Sequence, residues 1–173
     1  MNDMELRACL ERVRQGDREA FTALYRDPSG PVYTVILRMV CHREQAEDVT
    51  QELFVKLFRS PPDASVKSPR AWIFRMARNL AIDTLRTQHT VQSEELLCDV
   101  PAEDELARST VRMDVARAMR RLTPTEREIV SLHVWGELGF VEIARTVGMS
   151  PTGVWRIWRR ALDRLRKDLG GNI

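Results

Sequence analysis

Cysteine, histidine and aromatic residues are all scarce in this 173-residue chain, and each scarcity removes a class of function. The three cysteines, Cys9, Cys41 and Cys98, form no CxxC pair. The three histidines, His42, His89 and His133, complete no zinc-ligand spacing. The thiols therefore read as buried or incidental groups, and no metal set is expected. There is no glycine-rich phosphate loop, paired-carboxylate site or nucleophile motif, so neither catalysis nor a cofactor is indicated. No apolar run approaches the roughly 18 residues that cross a bilayer, and MNDMELRACLERV lacks a signal peptide's apolar stretch. These absences predict a cytoplasmic protein that is not an enzyme and is not inserted in a membrane.

What is present is helical pattern and uneven charge. The composition, 43% hydrophobic and 30% charged, is that of a globular protein. The net charge is only +2, but it is +2 over residues 1–87, −5 over 88–110 and +5 over 111–173. A basic, acidic, basic succession suggests two modules with a connector between them, and nucleic acid as a partner. Nearly every segment has helical periodicity and none alternates like a strand. Helices are predicted at about 3–15, 18–26, 31–41, 43–59, 69–88, 109–121, 124–136, 140–147 and 151–168. Ser68-Pro69, Thr123-Pro124 and Ser150-Pro151 each supply a capping hydroxyl and a proline suited to the first helical position. The fold class is all-α: two small helical domains, 1–89 and 109–173, joined by a flexible acidic linker, 90–108.

The C-terminal domain fits a helix-turn-helix. Phe140–Val147 is a short helix, Gly148 permits the turn, and Ser150 caps the next helix. Ile143, Val147, Met149, Val154 and Ile157 are the apolar set expected to pack the pair. On the last helix Val154, Ile157, Trp158, Ala161, Leu162 and Leu165 form one stripe. Thr152, Arg156, Arg159 and Arg160 fall on the other side, and Thr152, Arg156 and Arg159 are placed to reach base edges from the first half of a recognition helix. Arg160, Arg164, Arg166 and Lys167 suit phosphates. Trp158 is expected in the core, whereas Trp155 either contacts a sugar or thymine methyl or flanks the core.

Two stretches stand out in the N-terminal domain. In AEDVTQELFVKLF, Asp48, Gln51 and Glu52 share a face, opposite Val49, Leu53, Leu57 and the phenylalanines. By itself such an acidic-amide patch is more often a solvated face than a docking surface. In SPRAWIFRMARNLAIDTLR, Ile73, Met76, Ala77 and Leu80 face inward, with Trp72, Arg75, Arg78 and Asn79 opposite. A ring among arginines suits single-stranded nucleic acid, where bases stack and guanidinium groups hold phosphates. A tryptophan packed beneath a loop would give the same pattern.

Taken together, DVTQELFVKLF, RAWIFRMARNLAIDTLR, the acidic linker and LTPTEREIVSLHVWGELGFVEIARTVGMSPTGV resemble an extracytoplasmic-function (ECF) sigma factor over about residues 10–169. The resemblance implies binding to core RNA polymerase, promoter recognition and melting, and control by an anti-sigma factor. It implies that Asp48, Gln51 and Glu52 dock on the clamp helices of the largest polymerase subunit. Trp72, Arg75, Arg78 and Asn79 then face the minus-ten element, helped by the Ser60–Lys67 loop, which in the family helps capture a flipped-out base. Thr152, Trp155, Arg156, Arg159 and Arg160 face the minus-thirty-five element. The linker, with Glu94, Glu95, Asp99, Glu103, Asp104 and Glu105, would run through the polymerase's nucleic-acid channel. Two departures stand against the family pattern. Gly139, not Ser or Thr, precedes Phe140, which predicts a weaker cap. Val-Trp-Arg-Ile replaces the common valine-lysine-serine-arginine run, so base contacts do not transfer. The rival reading is a dimeric helix-turn-helix regulator with a sensor domain, which would have no reason to carry DVTQE beside RAWIFRMARN.

Overall fold

The computed structural model describes residues 1–89 and 110–170, and within them the backbone is helical with no strand. In chain order the helices are α1 (Asp3–Arg14), α2 (Arg18–Arg26), α3 (Ser29–Val40), α4 (Arg43–Arg59), α5 (Pro69–His89), α6 (Thr110–Arg120), α7 (Pro124–Val134), α8 (Phe140–Val147) and α9 (Pro151–Asp168). The predicted linker, its six carboxylates and Cys98 lie outside the described residues.

Capping chemistry sets most of the boundaries. Asp17 accepts from the Glu19 and Ala20 amides at 2.9 and 3.1 Å and from Arg12 Nε at 2.9 Å, starting α2. Thr123 Oγ1 accepts from the Glu126 amide at 3.3 Å, and Glu126 Oε2 accepts from the Thr123 amide at 3.0 Å, a reciprocal box at the start of α7. One boundary is corrected here. Helix α3 begins at Ser29, two residues before the expected start at about 31. Pro31 fits because a helix's first turn has no intrahelical use for its N–H. At the start of α8 Gly139 supplies no capping side chain, as expected, and Glu142 Oε2 accepts from the Gly139 amide at 3.0 Å.

In the N-terminal module α1 packs on α2, and α3, α4 and α5 pack on one another. In the C-terminal module α9 lies against α6, α7 and α8. The modules share a core. Val32, Val35, Ile36, Leu53 and Phe74 from the first join Ile129, Leu132, Leu138, Ile143 and Val154 from the second in one buried cluster. Helix α7 makes this possible because it is apolar on two sides. Ile129 and Leu132 belong to the shared cluster, while Val130 packs with Met119, Leu122 and Ala161. A helix apolar on two sides needs neighbours on both, and α3 lies beside α7 as α5 lies beside α8.

Polar contacts bind the same junction. Arg78 Nε donates to Glu128 Oε1, and Arg70 Nη1 lies 3.2 Å from Glu137 Oε2. Arg127 Nε and Nη2 donate to the Met119 and Leu122 carbonyls at 3.2 and 3.0 Å, while its Nη1 donates to Cys41 Sγ at 3.2 Å. The Arg38 guanidinium lies over the Trp135 ring, 5.4 Å from its centroid. Burial, and then the charges of Arg120 and Arg127, push Arg38 below the usual arginine range. Attraction through Glu128 and Glu137 is therefore opposed by crowded positive charge.

The turn after α7 is tight enough to exclude a side chain. A Cβ on Gly136 would lie 2.5 Å from the Leu132 carbonyl oxygen, the acceptor for the Leu138 amide at 3.1 Å. In the helix-turn-helix, Gly148 takes the left-handed conformation at φ 73°, and the Met149 amide closes on the Ala144 carbonyl at 2.9 Å.

Candidate nucleic-acid interface

Ser150 Oγ accepts from the Gly153 amide at 3.1 Å, and Pro151 occupies the first position, so the start of α9 is well defined. Val154 and Ala161 are buried beneath it, fixing which side looks outward. Thr152, Arg156, Arg159 and Arg160 are exposed on the side predicted, and Trp155, for which DNA contact and a place flanking the core were both open, is exposed beside them. Trp155 retains 44% exposure, and the Arg159 guanidinium lies 5.0 Å from its ring centroid. Two arginines further along are engaged instead: Arg164 lies 3.4 Å from Glu126, and Arg166 lies 3.9 Å from Asp163. Arg156, Arg159 and Arg160 have no carboxylate within 4.0 Å among the described residues. Positive charge is thus unneutralised towards the N-terminal half of the helix.

The core assignment of this domain needs two adjustments. Met149, expected inside, is 39% exposed, because the Gly148 turn carries it past the junction of α8 and α9. Trp158 is only half-buried: it packs edge-on to His133 at 4.5 Å and beside Phe140 at 6.0 Å. His133 Nδ1 donates to the Leu138 carbonyl at 2.8 Å, so this aromatic group braces the turn behind α9. Thr146, unremarked in the sequence, is buried with its hydroxyl bonded to the Glu142 carbonyl at 2.9 Å.

The four candidates on α5 divide into two pairs. Arg75 and Asn79 are exposed. Trp72 is half-buried against the shared core, and half-buried Arg78 is spoken for by Glu128 of the other module. Sequence reasoning missed Glu128 and Glu137, since nothing in LTPTEREIVSLHVWGELG shows which helix will meet α5. The 60–68 loop before α5 is held from α1. Arg7 donates to the Ala64 and Lys67 carbonyls at 2.8 and 2.9 Å, and Arg14 donates to the Pro62 carbonyl. The Ser65 amide donates to Asp63 Oδ1 at 2.9 Å, and this bond holds the Asp63 carboxyl below the usual carboxylate range.

On α4, Asp48, Gln51 and Glu52 are exposed together, with Lys56 2.8 Å from Glu52. Phe54 is buried as expected, but Phe58 is 47% exposed and packs edge-on to Phe21 at 4.8 Å. Val55 and Tyr25 are each 47% exposed as well. Val55 lies three and four residues beyond Glu52 and Gln51, so an apolar strip adjoins the acidic-amide patch. The run LFVKLF carried this signal, since it has more apolar residues than one helix face can bury.

Cys9 is buried, its thiol donating to the Ala20 carbonyl at 3.0 Å, and burial pushes it above the usual thiol range. It is a packing residue. Among the described residues no three His, Cys, Asp or Glu side chains converge as a metal set, and no helix is long and apolar enough to cross a membrane.

Comparison with known proteins gives concordant results. The profile of Sigma-70 region 2 matches residues 24–90, and that of Sigma-70, region 4 matches residues 112–165. The chain is 28% identical to an ECF RNA polymerase sigma factor SigK of Mycobacterium ulcerans, over 95% of this chain and 94% of that one. It is equally similar, at 28%, to the SigK of Mycolicibacterium vanbaalenii, over 96% and 90%. Two solved structures share the fold. CnrH in complex with the cytosolic domain of CnrY has a TM-score of 0.68 at 20% identity, covering 98% of this chain and 99% of that chain. The sigma factor RpoE in complex with the anti-sigma factor NepR from Bartonella quintana also has a TM-score of 0.68, at 18% identity, covering 88% and 98%.

Proposed function

Because this chain belongs to the ECF sigma factors, which confer promoter recognition on core RNA polymerase, we propose how its surfaces divide that task. Residues 109–173 read the minus-thirty-five element through Thr152, Arg156, Arg159 and Arg160, with Trp155 exposed on the same surface of α9. Residues 1–89 bind the minus-ten element through Trp72, Arg75, Arg78 and Asn79, with the loop before α5 held ready by Arg7 and Arg14. Asp48, Gln51 and Glu52 dock on the polymerase clamp helices, with Val55 and Phe58 adding apolar contact. The observation that carries this reading is the outward side of α9. Among the described residues Arg156, Arg159 and Arg160 have no carboxylate partner, while Arg164 and Arg166 have one each.

Both elements cannot be read in the packed state. A compact chain of this length is about 40 Å across. Elements centred some 25 base pairs apart lie roughly 85 Å apart at 3.4 Å per pair. The modules therefore separate on promoter binding, releasing Arg78 from Glu128. The chain supplies recognition and the polymerase supplies catalysis, so it acts in the cytoplasm, where DNA and polymerase are, without enzymatic chemistry of its own. An anti-sigma factor is its natural inhibitor: both structural relatives are complexes with another protein, one of them named as an anti-sigma factor. Transcription reconstituted with core polymerase and a promoter library tests the whole reading. Start sites that depend on this chain, with preferences at both elements, are expected. A library giving none would overturn it.

A further inference from the structure

Trp155 and Arg159 are four residues apart on α9, and the guanidinium lies over the ring at 5.0 Å. Arg159 had another option, because Asp163 is four residues in the opposite direction along the same face. It does not take it: Asp163 lies nearer Arg166, at 3.9 Å. The ring therefore draws the Arg159 guanidinium one turn towards the N-terminal end of α9, the end that enters a major groove in this motif. Thr152 and Arg156, towards that same end, are exposed as well. A guanidinium aligned over an indole keeps its outer N–H edge free, and two parallel donors fit the O6 and N7 acceptors of guanine.

We propose that Trp155 is a positioning residue for base reading: its ring orients Arg159 so that the guanidinium reads a guanine in the minus-thirty-five element. The inference rests on the assignment of α9 as the promoter-reading helix. It gives a role to the tryptophan where this chain departs from the common valine-lysine-serine-arginine run. Binding energy comes from the arginine. The ring restricts where that arginine points, so specificity is gained through fewer orientations to lose on binding.

The test uses the full chain bound to core polymerase and a duplex library randomised across the minus-thirty-five element. It compares wild type, W155A, W155F, R159A and the W155A/R159A pair. Wild type is expected to prefer guanine at one position. R159A abolishes that preference by about tenfold, and W155A weakens it at the same position by about 2–5-fold. The double variant resembles R159A, and W155F keeps most of the preference because its ring still stacks. Losses at different positions, or losses that multiply in the double variant, would overturn the proposal by showing that the ring touches DNA independently. An unchanged preference in W155A would overturn it too. If wild type shows no preference anywhere in this element, the assignment of α9 fails and the proposal fails with it.

Discussion

Gly136 shows how narrowly one residue can be constrained. The Leu132 carbonyl oxygen occupies the space an added methyl would need, and that oxygen is already bonded to the Leu138 amide. Gly136→Ala must displace backbone where the modules meet, and should cost about 1–3 kcal/mol in urea unfolding. Asp17 gives a test by pH. Amide bonds, led by that of Ala20, and the Arg12 guanidinium hold its carboxyl below the ordinary value. A depressed carboxylate stabilises the fold above its unfolded pKa, and the contribution fades as pH falls through the folded one. Asp17→Asn keeps a capping oxygen but does not titrate. The wild-type advantage in urea midpoint should therefore be constant above about pH 4 and shrink below it. The start of α2 at residue 18 could be read directly from the sequence. The constraint at Gly136 could not, because the blocking atom is a carbonyl whose position depends on how the α7–α8 turn closes.

At the scale of elements, α4 and α9 were the most legible. Their periodic faces correctly separated Asp48, Gln51 and Glu52 from Leu53 and Leu57, and Arg156 and Arg159 from Val154 and Ala161. Legibility failed at Phe58 and Met149, apolar residues left in the open. Periodicity gives the direction of a side chain but does not say whether a neighbour covers it. On α4 the uncovered residues adjoin the charged ones, as expected of a docking surface with an apolar centre and a polar rim. Asp48→Lys with Glu52→Lys should weaken binding to core polymerase at least tenfold in a pull-down titration, and more weakly at high salt. Binding of isolated minus-thirty-five duplex should not change. Equal loss of both would trace the effect to misfolding instead.

The whole molecule raises a question that neither module raises alone. Its core continues across the junction, where Arg78 and Arg70 meet Glu128 and Glu137 while Arg38, Arg120 and Arg127 crowd together. Glu128 occupies a side chain proposed to bind DNA, so closure competes with minus-ten recognition. Glu128→Lys should therefore expand the free chain, measured as a larger radius of gyration in solution scattering. It should also strengthen binding of a single-stranded minus-ten oligonucleotide several-fold. Glu128→Gln, which removes the charge at similar volume, should act in the same direction and more weakly. Tighter oligonucleotide binding with no expansion would place the effect at Arg78 alone and count against module separation.

The approximate extent of the helices, the caps at Ser68, Thr123 and Ser150, the outward arginines of α9 and membership of the sigma family were legible in the sequence alone. All of these depend on residues close together in the chain, through periodicity, hydrogen bonds across one turn and motif order. Only the tertiary structure decided that α7 is covered on two sides, that Arg78 is paired, and that Arg159 lies over Trp155 when Asp163 was within reach. Each of those is a choice among partners distant in sequence or equally spaced along it. Spacing names the possible partners, but packing and charge in three dimensions select one.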